Sequence, residues 1–288
     1  MMRSSTLFFI VAAITALLSI GLIWWYPSAQ DYSPNNPFWN GLAQFTRDYH
    51  ATVVNPASLQ ATSATGSLIL IPRRVITSEE LQRVNEFVQG GGTLVLLDDF
   101  GFGNQVAEGL GLKLRFSRKP LLDPLINQIN QSLPKASFLP VGAQGRVSFV
   151  LNQPSSIEGA TTEPVLASSS SFSYLDENQN NKFDQGEPTG PFTVATETSL
   201  GRGKIVLVSD PSILINGTLD VSRTFVDTLF QNKTVEILAE TVSDTALDNA
   251  KSALYLLQGV FGNPIGLLFV LIVLVGLPLS FGRQFQGD

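Results

Sequence analysis

The stretch SLILIPRRVITSEELQRVNEFVQGGGTLVLLDD (67–99) decides the fold. Its first five residues, SLILI (67–71), form a continuous aliphatic run, the pattern of a strand buried on both faces. Thr77 and Glu80 stand three apart, just ahead of Leu81, Val84 and Val88 at helical spacing. That is a capping box opening an amphipathic helix. Three glycines at 90–92 stop it. TLVLL (93–97) is a second buried strand and ends in Asp98 and Asp99. Strand, helix and strand of this length predict a right-handed βαβ unit with parallel strands.

Upstream, Asn36 ahead of Pro37 predicts a helix over 37–49, with Phe38, Leu42 and Phe45 on one face. A short strand follows at 51–54. Downstream, 118–172 is less periodic and reads as an insertion or sheet edge, with RVSFVLN (146–152) as a strand. A second α/β pattern comes at 192–196, the turn 200–203 and KIVLV within 204–208. A helix from Thr218 or Asp220 follows, carrying Val221, Phe225, Leu229 and Phe230. The fold class expected is α/β with a parallel sheet.

Composition narrows the function. The chain has 288 residues, no cysteine and one histidine, His50. Disulfide scaffolds, thiol nucleophiles, thiolate metal sites and multi-histidine sites are excluded. A net charge of −6 lacks the footprint of a nucleic-acid binder. Charged residues make up 15%, against about 25% in ordinary soluble domains. The shortfall sits at the ends: 4–30 and 252–282 carry no charge.

Each end predicts a membrane segment. TLFFIVAAITALLSIGLIWWY (6–26) has the length of a span and ends in Trp24, Trp25 and Tyr26, rings suited to the interface. The rival, a cleaved signal peptide, needs a shorter apolar run and small residues at its end. PIGLLFVLIVLVGLPLSF (264–281) predicts the second span. The expected organisation is a tail at 1–5, a transmembrane helix at 6–26 and an extracytoplasmic α/β domain at 27–242. A juxtamembrane linker at 243–262, a transmembrane helix at 263–281 and a tail at 282–288 complete it. Arg3 and Arg283 place both termini in the cytoplasm. The expected location is the cell membrane, two-pass, with the lipid bilayer as one partner.

The order of motifs resembles the family of the domain of unknown function 4350, which comprises membrane-anchored proteins mainly of archaea and bacteria. The residues that carry the resemblance are DYSPNNPFWNGLAQF (31–45), TSEELQRVNEFVQGGGTLVLLDDFGFGNQVAEGLGL (77–112), KPLLDP (119–124) and GRGKIVLVSDPSILIN (201–216). The resemblance implies a class I glutamine amidotransferase-like, flavodoxin-like fold. Chemistry in that fold depends on a Cys nucleophile with a His base. This chain has no Cys, and His50 precedes the first predicted strand. The resemblance therefore implies a fold and a membrane-associated partner, and no reaction. No catalytic residue is assigned.

Two local motifs carry chemistry. DENQNNKFDQGE (176–187) fits the twelve-residue calcium loop. Asp176, Asn178 and Asn180 would supply single oxygens, Lys182 its main-chain carbonyl, Asp184 a direct or water-mediated oxygen and Glu187 two. Position 6, usually Gly, is Asn181, which tolerates a left-handed backbone. Ca²⁺ is hard and takes about seven oxygens, so this spacing suits it. Its expected role is structural. A polar turn without metal is the alternative reading.

The second motif is a crevice. Asp98 and Asp99 follow one predicted parallel strand, and Ser209 and Asp210 follow another, where open α/β sheets bind ligands. Gly101 and Gly103 would let a backbone approach an anion or sugar; the blander reading is a Gly turn with Asp capping the next helix. Ser209 lacks the G-x-S-x-G elbow of a hydrolase. His50 reads as a helix-end side chain and Trp39 as core packing rather than ligand stacking. Asn130, Asn216 and Asn232 open sequons. The expected function is a binding or scaffolding protein with a Ca²⁺ loop and a membrane-protein or glycan partner. The alternative is a surface hydrolase acting through Asp98, Asp99 and Asp210.

Overall fold

A computed structural model describes residues 4–56, 59, 66–160, 162–230 and 233–238, with isolated positions at 247, 250, 251 and 253. The chain divides into two units, Met1–Ser28 with Ser243–Asp288, and Ala29–Val242.

The first unit contains α1 (Ser4–Trp25). Thr15 and Ser19 set hydroxyls in its apolar run and donate to Val11 O and Thr15 O, each at 2.9 Å. Among the described residues no helix is long and apolar enough to cross a membrane. This overturns the expected flanking transmembrane helices, and with them the two-pass membrane location and the extracytoplasmic placement of the α/β domain. A charge-free run measures the absence of charge, whereas a span needs an unbroken apolar helix. The second expected span, 263–281, lies outside the described residues, as does most of 243–262.

The second unit starts with α2 (Ala43–Asp48), β1 (Thr52–Val54), β2 (Ser67–Leu70), α3 (Ser78–Gln89), β3 (Thr93–Leu97) and α4 (Gly103–Gly109). Short strands follow: β4 (Arg115–Phe116), β5 (Leu121–Leu122), β6 (Lys135–Phe138), β7 (Val147–Val150), β8 (Ile157–Glu158), β9 (Val165–Ser168) and β10 (Tyr174–Leu175). The unit closes with β11 (Thr193–Leu200), β12 (Gly203–Val208), a 3-10 helix (Pro211–Leu214), α5 (Leu219–Phe230) and β13 (Val235–Leu238).

The large sheet runs β1-β13-β2-β3-β12-β11-β9-β6-β7. From β1 to β12 neighbouring strands are parallel. From β12 outward they are antiparallel. The expected parallel, glutamine amidotransferase-like sheet is thus corrected to a mixed sheet. The cause is local. β11 and β12 are joined by a tight turn, with Leu200 opposite Gly203 and Gly201 at φ 60°. Such a short connection permits only antiparallel pairing. The stretch read as an insertion or sheet edge supplies β9, β6 and β7, the last three strands on one side of the nine-stranded sheet.

The βαβ unit forms as its residues dictate. Glu80 N donates to Thr77 Oγ1 at 3.3 Å and Thr77 N to Glu80 Oε2 at 2.9 Å, which closes the capping box. Arg74 grips the same carboxylate with both terminal nitrogens, at 2.9 and 2.6 Å. The chain leaves α3 through Gly91 at φ 120°, a conformation that side chains resist.

Alternate residues of the parallel strands face opposite cores. Leu68, Leu70, Leu94, Leu96, Ile205 and Leu207 pack toward α3 and α4. Ile69, Val95, Leu97, Val206 and Val208 pack toward α2 and α5. This explains the unbroken aliphatic runs, since both faces are covered. Phe149 stacks on Phe225 with ring centroids 4.2 Å apart, joining β7 to α5. The helix expected over 37–49 is shorter. Asn36 is buried and its Oδ1 accepts from Phe38 N at 2.8 Å, which folds 36–42 into turns before α2 begins.

Candidate functional site

Beyond β3 the chain turns into α4, on the face that carries α3. Beyond β12 it turns into the 3-10 helix and α5, on the opposite face. The gap between neighbouring β3 and β12 is therefore a topological switch point, the usual ligand crevice of such sheets. Asp98, Asp99, Ser209 and Asp210 all sit there. Leu97 pairs with Val208, and Asp98 N donates to Val208 O at 3.1 Å.

Asp98 is 3% exposed. Its Oδ1 accepts from Gly101 N at 2.9 Å and its Oδ2 from Gly103 N at 2.8 Å. The anion that the two glycines approach is thus the chain's own carboxylate. A Cβ on Gly101 would lie 2.5 Å from Asp98 Oδ1, and one on Gly103 would lie 2.6 Å from Asp98 Cβ. Burial pushes Asp98 up to about 6, against the two backbone N–H groups that favour its charge.

Asp210 is fully buried. Its Oδ1 accepts from Ser212 N at 2.7 Å, starting the 3-10 helix, and its Oδ2 accepts from Asn152 N at 2.6 Å. Burial pushes it up to about 7, with the nearby Asp99 charge adding to the rise. Asp99 is half-buried, and burial raises it too. One of its oxygens accepts from Phe100 N at 2.6 Å. Ser209 Oγ and Ser155 Oγ are buried without a hydrogen-bond partner among the described residues, and Ser155 N donates to Ser209 O at 3.1 Å.

Tyr32 and residues 152–155 complete the crevice, and sequence reasoning missed both. Tyr32 has a left-handed backbone, φ 56°, and its hydroxyl lies 3.3 Å from Ser212 Oγ. Burial pushes its phenol upward. The Arg73 guanidinium lies 5.8 Å from the centre of its ring, within cation–π range. A neighbouring cleft of about 190 Å³ opens at the ends of β1, β2 and β13, lined in part by Asp31, Tyr32, Val53, Ile71 and Arg73. The one sequence signal for it was Pro72-Arg73-Arg74 directly after a predicted strand.

The loop 176–187 gathers its predicted ligand positions. Asp176 is buried; its Oδ1 accepts from Asn180 N at 3.1 Å and its Oδ2 from Asn181 N at 2.8 Å. Asn181 has φ 59°, the left-handed conformation expected at position 6. The side-chain amides of Asn178 and Asn180 both donate to Asp184 Oδ2 at 2.7 Å, and these bonds hold the Asp184 carboxyl below the usual carboxylate range. Lys182 N donates to Asn180 Oδ1 at 2.8 Å. Glu187 accepts from Glu177 N and Asp184 N, each at 3.0 Å. Among the described residues no three carboxylates or imidazoles stand ready around one point. A cation here would rely on amide and carbonyl oxygens alongside Asp176, Asp184 and Glu187. That mixed oxygen set suits Ca²⁺, provided the two amides turn their oxygens inward.

Other sequence candidates divide. His50 follows α2 with φ 50° and is solvent-exposed. Trp39, expected in the core, is 68% exposed. Asn216 has its amide occupied: Nδ2 donates to Asn36 O and Phe38 O, and Oδ1 accepts from Gln44 N. Asn130 is exposed, and Asn232 lies outside the described residues.

Among solved structures, the chain is similar to the mmIFT52 N-terminal domain at 13% identity, covering 57% of this chain and 75% of that one, with a TM-score of 0.44. It is also similar to an exo-β-1,4-mannosidase from Opitutaceae bacterium strain TAV5, at 14% identity, 61% and 25% coverage, and a TM-score of 0.33. A catalytic mutant of a GH42 β-galactosidase from G. stearothermophilus matches at 15% identity, 59% and 22% coverage, and a TM-score of 0.37. The chain thus spans about a quarter of the length of either glycosidase. No curated protein matches the sequence. A family model, that of the domain of unknown function DUF4350, matches residues 34–225 and so takes in the βαβ unit, the strand-end residues Asp98, Asp99, Ser209 and Asp210, and the loop 176–187. The chain belongs to the DUF4350 family.

Proposed function

We propose that the chain is a binding module: it engages a protein or glycan partner at the crevice between β3 and β12 and holds Ca²⁺ structurally in the loop 176–187. The observation that carries this reading is the state of the two buried carboxylates of the crevice. Asp98 and Asp210 each commit both oxygens to backbone N–H groups of their own chain. A general acid or a glycosidase nucleophile must present an oxygen to the substrate. Here the carboxylates brace the crevice walls. Asp99 accepts through one oxygen from Phe100 N, which leaves its other oxygen for a ligand.

The second reading is a hydrolase acting through Asp98, Asp99 and Asp210. One observation favours it: burial raises all three carboxyls, as general-acid chemistry near neutral pH requires. Screening the full chain on a glycan array and on panels of chromogenic glycosides and peptides separates the two. The binding reading expects retention without turnover, lost in Asp99→Ala. Turnover abolished by Asp99→Ala contradicts it and supports the hydrolase.

A further inference from the structure

The cleft beside the crevice has an apolar floor. Val53 of β1 pairs with Ile237 of β13, so the two side chains lie on one face of the sheet. Leu42 and Ile71 line the same cleft. Val53 is half exposed, an aliphatic side chain left open on an edge strand.

The cleft is also lined by one charge of each sign, Asp31 and Arg73. Arg73 Nη1 donates to Asp31 O at 2.7 Å, and the guanidinium lies over the Tyr32 ring, so the cation is fixed in place. The two charges nevertheless stay apart. Arg73 Nη2 lies 3.9 Å from Asp31 Oδ2, against about 2.7–2.9 Å in a hydrogen-bonded ion pair. The wall that carries Asp31 and Tyr32 is pinned. Asn36 Nδ2 donates to Gln30 O at 2.8 Å, Tyr32 N to Asn40 O at 2.9 Å and Leu42 N to Ser33 O at 3.0 Å. Tyr32 sits at φ 56°, a backbone that bulky side chains resist and that recurs at ligand clamps. Walls ordered in advance lower the entropy a ligand must give up on binding.

Volume sets the ligand's size. The cleft holds about 190 Å³, and a cavity of about 150 Å³ accommodates benzene. That is room for one branched aliphatic or phenyl group. Charge sets its polar end. An apolar carboxylate alone would be repelled by Asp31, and an apolar amine alone by Arg73. A zwitterion satisfies both.

We propose that this cleft binds a free amino acid with an apolar side chain. Its carboxylate meets Arg73, its ammonium meets Asp31, and its side chain covers Val53 and Ile237. The site is separate from the crevice between β3 and β12 and from the loop 176–187, and depends on neither.

Calorimetric titration of the full chain with L-leucine, isocaproate and isoamylamine tests this. The last two keep the apolar body and lack the amine and the carboxylate respectively. The expected result is saturable leucine binding with a Kd on the order of 1 mM or below, as suits so small a ligand. Isocaproate and isoamylamine should each bind about tenfold more weakly, the usual worth of one hydrogen bond to a charged group. Arg73→Gln should weaken leucine by a similar factor. Val53→Trp, at an exposed position, fills the floor, leaves both charges in place and should abolish binding. No saturable leucine binding in the wild type overturns the proposal. Isocaproate or isoamylamine bound as tightly as leucine overturns the zwitterion. Leucine binding unchanged in Val53→Trp places the amino acid elsewhere and overturns the site.

Discussion

The backbone N–H of Asn152 donates to the buried carboxylate of Asp210 at 2.6 Å, which ties the end of β7 to the end of β12. β7 belongs to the antiparallel half of the sheet and β12 is the last parallel strand. The bond therefore joins the two halves at the place where a ligand would enter. It also gives Asp210 a structural duty, holding a turn rather than facing solvent.

Stability should fall as pH rises from 5 to 8. Burial raises Asp98 to about 6 and Asp210 to about 7 from an ordinary value of 3.8. A carboxyl raised in the folded chain binds its proton more tightly there than when unfolded. Its contribution is complete below the unfolded value and is lost as pH passes through the folded one. The melting temperature should drop by on the order of 5 °C across this window. A melting series in one buffer system at constant ionic strength checks it, and Asp98→Asn should flatten the slope. A flat profile in the wild type would show that the four backbone N–H groups outweigh burial.

Glu80 responds in the opposite window. The Arg74 guanidinium holds it down to about 2 from 4.5, so its contribution is present above pH 4.5 and is lost as pH falls toward 2. Glu80→Gln should reduce the acid sensitivity of unfolding. Thr77→Ala, which removes the other half of the capping box, should cost about 1 kcal/mol in a denaturant melt.

The glycines around Asp98 should not tolerate a methyl group. Gly103→Ala sets a Cβ 2.6 Å from Asp98 Cβ and 2.7 Å from Phe116 Cε2, which predicts a loss of about 1–3 kcal/mol from overpacking. Gly145→Ala, whose Cβ meets nothing within 4 Å, should change stability by less than about 0.5 kcal/mol. Urea unfolding of both variants makes the comparison.

Phe225 holds the antiparallel half to α5. It stacks on Phe149 and meets Phe138 edge-on, with centroids 5.1 Å apart. Phe225→Ala should cost about 3–5 kcal/mol in urea unfolding, the usual loss for a buried aromatic. A loss under about 1 kcal/mol would mean that α5 does not secure β6 and β7.

Local rules were legible in the chain, and long-range ones were not. Thr77 with Glu80 announced α3, and SLILI and TLVLL announced strands covered on both faces, because capping and burial leave marks within a few residues. Asn181 announced its left-handed backbone for the same reason. Strand direction leaves no such mark: KIVLV reads alike beside a parallel or an antiparallel neighbour, and the hairpin at 200–203 decided it. The strands at 115–116, 121–122, 157–158 and 174–175 are too short to show a period. Tyr32 reaches Ser212 from 180 residues away, so no spacing could reveal it. Gly101 and Gly103 advertised an anion without saying that Asp98 supplies it. Residue type alone places Trp39 in the core, whereas the turns set by Asn36 bring it to the surface.

The most direct test of the account is a thermal melt of the full chain with and without CaCl₂, beside Asp184→Ala. With Ca²⁺ at about ten times its dissociation constant, a ligand that binds only the folded chain adds roughly 1.4 kcal/mol. That raises the melting temperature by about 3–5 °C for a domain of this size. The account predicts this rise in the wild type, its loss in Asp184→Ala and no comparable rise with MgCl₂, since the loop suits the larger, more flexibly coordinated cation. An unchanged melting temperature in the wild type at saturating Ca²⁺ would contradict it.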